Sequence, residues 1–110
     1  MASFNLRLED TYWSKGFFNV SVDFQRFLTS TDGPLDLFLG NATQPVRGRI
    51  SRSANRNATP RVYGNKDLIG FLHANCTRGG LVRVEIVSPT TIRVGGAPSS
   101  GERDAHEAPH

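Results

Sequence analysis

One cysteine, one methionine and one tryptophan occur among 110 residues. A lone cysteine, Cys76, excludes an internal disulfide. With no histidine partner evident in the sequence, it reads as a small buried apolar residue. No run is long or apolar enough for a membrane span or a signal peptide. The expectation is an intracellular protein, cytoplasmic in a bacterium or nuclear in a eukaryote. The four Asn-x-Ser/Thr matches, at Asn19, Asn41, Asn57 and Asn75, then read as chance. Histidine is scarce as well: His73 falls in a helical pattern, and His106 and His110 lie near the C-terminus. There is no HEXXH, no paired-cysteine spacing, no nuclease-type carboxylate cluster and no phosphate-binding glycine loop. These gaps remove the residue sets on which most catalysis rests, so the expectation is a non-enzymatic domain with no metal and no cofactor.

Acid is missing from one long stretch, Leu37 to Lys66. Within it, Arg47 to Arg61 reads RGRISRSANRNATPR, with five arginines, two asparagines, two serines and a threonine. DNA offers phosphate charge along its backbone and hydrogen-bonding base edges in its grooves, and Arg serves both. Arg stands at every basic position of the segment, as expected where planar bidentate contacts matter. A solvated surface patch normally mixes the two signs of charge, and this segment does not. Residues 95–110 (GGAPSSGERDAHEAPH) read as a flexible linker or tail. The remaining domain, 1–94, carries 12 basic and 7 acidic residues, a net charge of +5 that favours a polyanionic partner.

Along the domain, apolar residues alternate at Phe4, Leu6 and Leu8, predicting a half-buried strand over Ser3–Glu9. Asp10–Gly16 reads as a polar loop, followed by a short strand around Phe18 and Val20. Ser21 is a candidate N-cap for a short helix ending near Thr29, with Phe24, Phe27 and Leu28 as its stripe. Strands are expected through Leu35, Leu37 and Leu39, and through Val46, Gly48 and Ile50. The second sends Arg47, Arg49 and Ser51 to the opposite face. Val62 points inward between Arg61 and Tyr63. If these two runs form a hairpin, Arg47, Arg49, Arg61 and Tyr63 share a surface, with the loop Arg52–Thr59 projecting from its end. A second helix over Lys66–Asn75 and strands through Val82–Ile86 and Thr91–Val94 complete the domain. About seven short strands and two short helices predict a mostly-β barrel or sandwich.

This order of elements resembles the B3 pseudobarrel, the DNA-binding domain of plant transcription factors and of recognition or effector domains in type II restriction endonucleases of the EcoRII and BfiI kinds. The resemblance covers Ser3–Val94. Phe17–Phe24 (FFNVSVDF) looks like the family's strand-to-helix element, with Ser21 where plant members often have Pro. Asp67–Ile86 (DLIGFLHANCTRGGLVRVEI) looks like its helix–turn–strand element, with Gly79-Gly80 where Gly-Asp is common. The Arg-Asn-rich segment leans toward the bacterial branch.

The resemblance implies a seven-stranded open pseudobarrel with two short helices. It also implies two arms gripping the major groove of double-stranded DNA, with the nuclease part elsewhere in the polypeptide. One arm is Thr11, Tyr12, Trp13, Ser14 and Lys15. The other comprises Arg47, Arg49, Ser51, Arg52, Ser53, Arg56, Thr59, Arg61 and Tyr63, with Asn55 and Asn57 as candidate base readers. For Trp13 taken alone, a packing role is the simpler reading. Two other functions remain open: an RNA or single-strand binder, which needs an exposed aromatic row, and a basic module that meets an acidic protein. Reading of a modified, extruded base also stays open, since no pocket for it can be recognised from sequence.

Overall fold

The computed structural model describes residues 2–96. The expected tail therefore lies, from 97 onward, outside the described residues. In chain order the elements are β1 (Ala2–Arg7), α1 (Asp10–Lys15), β2 (Phe17–Asn19), a 3-10 helix (Val22–Phe27), β3 (Gly33–Leu39), β4 (Val46–Ser51), β5 (Arg61–Tyr63), α2 (Asn65–Asn75), β6 (Leu81–Ser88) and β7 (Thr91–Val94).

The period-2 patterns become strands because each puts an apolar face inward. The strands form one sheet in the order β1-β6-β7-β3-β4-β5-β2. The β3–β7 pair is parallel and the other neighbours are antiparallel. This mixed, mostly-β sheet curls into a half-barrel, consistent with the expected open pseudobarrel. Its inner face carries Phe18, Val62, Ile50, Leu35, Leu37, Ile92, Val94, Val84 and Ile86, all buried. Leu68 and Leu72 of α2 fill the same core, and Phe71 packs at its rim. The edge strands β1 and β2 do not pair with each other. Phe4 of β1 instead stacks on Phe24 of the 3-10 helix that follows β2, with centroids 4.9 Å apart.

Three short helices form where two were expected. The polar loop predicted over Asp10–Gly16 is the helix α1. Six residues cannot sustain a helix in water, and this one is held by neighbours. The Trp13 ring stacks on His73 of α2 at 4.2 Å, and His73 donates from Nε2 to the Trp13 carbonyl at 3.0 Å. Asp10 in the first turn pairs with Arg78 at 2.8 Å. Gly16 ends the helix in the left-handed region, its N–H on the Tyr12 carbonyl.

Ser21 does cap the next helix, accepting the Asp23 N–H at 3.1 Å. That helix is 3-10, in which residues three apart eclipse, and this keeps Phe24 and Phe27 on one side. It stops at Phe27, leaving Leu28 buried as a separate plug. Helix α2 begins one residue before its expected start. The buried Gly48 of β4 faces Tyr63, where a Cβ would lie 2.7 Å from the Tyr63 carbonyl oxygen. Among the described residues, no helix is long and apolar enough to cross a membrane.

Candidate nucleic-acid interface

Strand register assembles the outer face row by row. Arg49 lies opposite Pro34 on one side and Tyr63 on the other, and Tyr63 lies opposite Phe17. Ser51 lies opposite Arg61, and Arg61 opposite Asn19. Arg47 lies opposite Asp36. Since Phe18, Ile50 and Val62 point into the core, these neighbours share the opposite surface of β2, β5 and β4. The expected β4–β5 hairpin therefore forms, with Arg47, Arg49, Arg61 and Tyr63 on one face.

Arg61 is fixed there. Its guanidinium carbon lies 4.3 Å from the Phe17 ring centroid, a cation–π contact. It donates from Nε to Asn19 Oδ1 and from Nη2 to Asn55 Oδ1, both at 3.0 Å. Asn55 donates in turn to Asn19 Oδ1 at 3.0 Å and to the Thr59 carbonyl at 3.1 Å. Asn57 Oδ1 accepts from the Thr59 hydroxyl at 2.8 Å and its main-chain N–H at 3.3 Å. Asn reads adenine through both ends of its amide. In this conformation neither Asn55 nor Asn57 keeps both ends free.

Arg52 is likewise engaged. It donates to the carbonyls of Thr29 at 2.8 Å and Ala58 at 3.1 Å. Ala58 adopts a positive φ of 62°, a conformation uncommon for any residue but glycine and one that marks a tightly specified loop. The main-chain N–H of Arg52 donates to Asp32 Oδ1 at 2.6 Å, and Ser53 donates its hydroxyl to Asp32 Oδ2 at 3.0 Å. Ser51, expected on the outer surface, is buried at 7% exposure, its hydroxyl turned to Asp32 at 3.4 Å. Thr59 is buried to the same degree. These bonds hold the Asp32 carboxyl below its ordinary range: the Arg52 N–H first, then the Ser53 and Ser51 hydroxyls and the Arg49 charge.

The side chains of Arg47, Arg49 and Arg56 remain exposed, with no hydrogen bond or ion pair to any described residue. The patch that is single-signed in sequence is mixed in space, because β3 and the turn before it bring Asp36 and Asp32 alongside. Arginine still predominates, and Asp32 braces the loop through the Arg52 N–H and the Ser51 and Ser53 hydroxyls.

On α1, Thr11, Ser14 and Lys15 are exposed, and the Ser14 hydroxyl donates back to the Asp10 carbonyl. Trp13 packs on α2, in agreement with its packing role. Tyr12 meets Phe17 edge to face at 6.0 Å, and Phe17 meets Tyr63 at 5.7 Å. An aromatic row thus runs from α1 across β2 to β5 and joins the two segments singled out in the sequence. Phe17, Asn19 and Asp32 escaped the sequence reading. The signal for Phe17 was its place beside inward-facing Phe18.

Among the recesses of this face, two adjoin the arginines of β4. The larger, about 440 Å³, is lined by Asp32, Arg49, Ser51, Ser53, Tyr63 and Asn65. The smaller, about 290 Å³, lies among Pro34, Asp36, Arg47 and Thr90. Among the described residues, no group of three or more His, Cys, Asp or Glu is placed to hold a metal ion. No protein-family model matches the chain, and no curated protein matches it.

Proposed function

We propose that this domain binds double-stranded DNA in a sequence-specific manner through the outer face of β4, β5 and β2, flanked by α1 and the 52–60 loop. One observation carries the reading: Arg47, Arg49 and Arg56 are exposed guanidinium groups that make no hydrogen bond or ion pair to a described residue, on and beside a surface braced by Arg52, Arg61 and Asn55. Exposed guanidinium groups with uncommitted hydrogen-bond donors are what phosphate and guanine contacts require. The two segments are proposed as jaws in the major groove, as the B3 resemblance implies. On that resemblance, the domain is the recognition or effector module of a bacterial restriction endonuclease, with cleavage performed by another part of the polypeptide. Selection from a random duplex library, followed by gel shift of the enriched site, tests the proposal. An unenriched pool sinks sequence specificity.

A second reading is favoured by the Tyr12–Phe17–Tyr63 row: stacking of single-stranded DNA or RNA on the aromatic surface beside the arginines. Competition among duplex, single-stranded DNA and RNA separates the two, with the duplex expected to win under the first reading.

A further inference from the structure

We propose that the groove between Asp32, Arg49 and Tyr63 is a base site that takes an unpaired guanine. The inference rests on the nucleic-acid reading of this face. Arg49 brings an exposed donor fork with no hydrogen bond to a described residue, and Asp32, on which the Arg49 charge acts, brings an exposed carboxylate; both line the same groove. Asp32 Oδ2 accepts from the Ser53 and Ser51 hydroxyls, whereas Oδ1 accepts one hydrogen bond, from the Arg52 N–H, and so retains a lone pair on an exposed side chain. Tyr63, the cross-strand neighbour of Arg49, supplies a ring tilted 53° against Phe17 and half-buried in place. The groove, about 440 Å³, is open toward solvent.

Guanine matches this pairing of groups. It carries two acceptors, O6 and N7, on one edge, and two donors, N1–H and the N2 amine, on the adjoining edge. Arg49 suits the first edge and Asp32 the second. Adenine sets an amine donor beside N7, against the guanidinium. Cytosine and thymine have no second acceptor edge across a fused ring. In a duplex, cytosine covers N1 and N2, so only an unpaired guanine presents both edges together. Such a base comes either from a single strand or by extrusion from a duplex.

The test is fluorescence anisotropy with the full chain and oligothymidines about nine nucleotides long that carry one central guanine, adenine or cytosine. The guanine oligomer should bind about tenfold more tightly than the others. Replacing guanine by 7-deazaguanine, which lacks the N7 acceptor, or by inosine, which lacks the N2 amine, should remove most of that gain. In Arg49→Ala, which removes the donor altogether, the affinity ratio of guanine to 7-deazaguanine should fall to one. A duplex with the guanine bulged, set beside one with it paired, separates extrusion from single-strand capture. Equal binding of all oligomers overturns the base site while leaving nucleic-acid binding intact. A paired guanine bound as tightly as an unpaired one also overturns it. No binding to any of these DNAs removes the site and the underlying reading together.

Discussion

The Arg52 guanidinium donates to the Thr29 carbonyl, 2.8 Å away and 23 positions earlier in the chain. With its second bond to the Ala58 carbonyl, it ties the segment before β3 to the far side of the projecting loop. A residue that sequence places among the expected DNA contacts is thus a brace for the proposed contact surface. Arg52→Ala should strip a donor from the half-buried Thr29 carbonyl and the exposed Ala58 carbonyl and cost about 1–3 kcal/mol, read as a lower melting temperature. Arg56→Ala, on an exposed side chain, should change stability by less than about 0.5 kcal/mol. Thermal denaturation of the two variants checks the contrast. Equal melting temperatures would show that the Arg52 bonds do not hold the loop.

Arg47, Arg49 and Arg56 should separate by the kind of contact each makes with duplex DNA. Neutralising a phosphate releases counterions, so losing one phosphate contact should lower the slope of log K against log salt by about 0.9. A lost guanine contact instead costs about 1–3 kcal/mol at one base pair and relaxes the preference there. Salt titrations of the three alanine variants on the selected site and on random duplex distinguish these outcomes. If no variant differs from wild type on either DNA, this face is not the interface.

The strands were legible because the period of two is local: Phe4–Leu6–Leu8, Leu35–Leu37 and Val82–Val84–Ile86 each declare an inner face within a few residues. The helix α1 was not, because its stability comes from Trp13 on His73, 60 positions away. Ser51 fits the strand alternation, yet it is buried, with its hydroxyl turned to the exposed Asp32 and Ser53. The fates of Asn55 and Arg61 were equally hidden. Both depend on Asn19, at separations of 36 and 42 positions. Local composition shows which chemistry is available, whereas sheet register decides which of those groups remain free.

Asp32 gives the loop a dependence on pH. Its carboxyl is held below the ordinary value of 3.8 by the Arg52 N–H and the serine hydroxyls. A depressed folded-state pKa means that its stabilisation is present above that ordinary value and is lost as pH falls through the lowered one. Wild type should therefore be more stable than Asp32→Asn at neutral pH, with the gap closing as acid is added below 3.8. Denaturant unfolding of both proteins across this range is the measurement. A gap that stays constant with pH would assign the effect to shape rather than charge.

Gly16 couples the two segments of the proposed interface. Its φ of 76° places it in the left-handed region, and its carbonyl accepts the N–H groups of both Gly64 and Asn65 at 2.9 Å. A Cβ there would lie 2.6 Å from the Asn65 carbonyl oxygen and 2.9 Å from Ile69 Cγ1. Gly16→Ala should cost about 1–2 kcal/mol for the left-handed backbone alone, with a further cost from displacing α2. Because Gly16 immediately precedes Phe17, the same shift should disturb the contacts of Phe17 with Tyr12 and Tyr63 and weaken nucleic-acid binding at temperatures where the variant is still folded. Melting curves, Trp13 fluorescence and binding at a temperature well below the transition test the two effects separately. Lower stability with unchanged affinity would mean that this junction supports the fold without setting the geometry of the aromatic row.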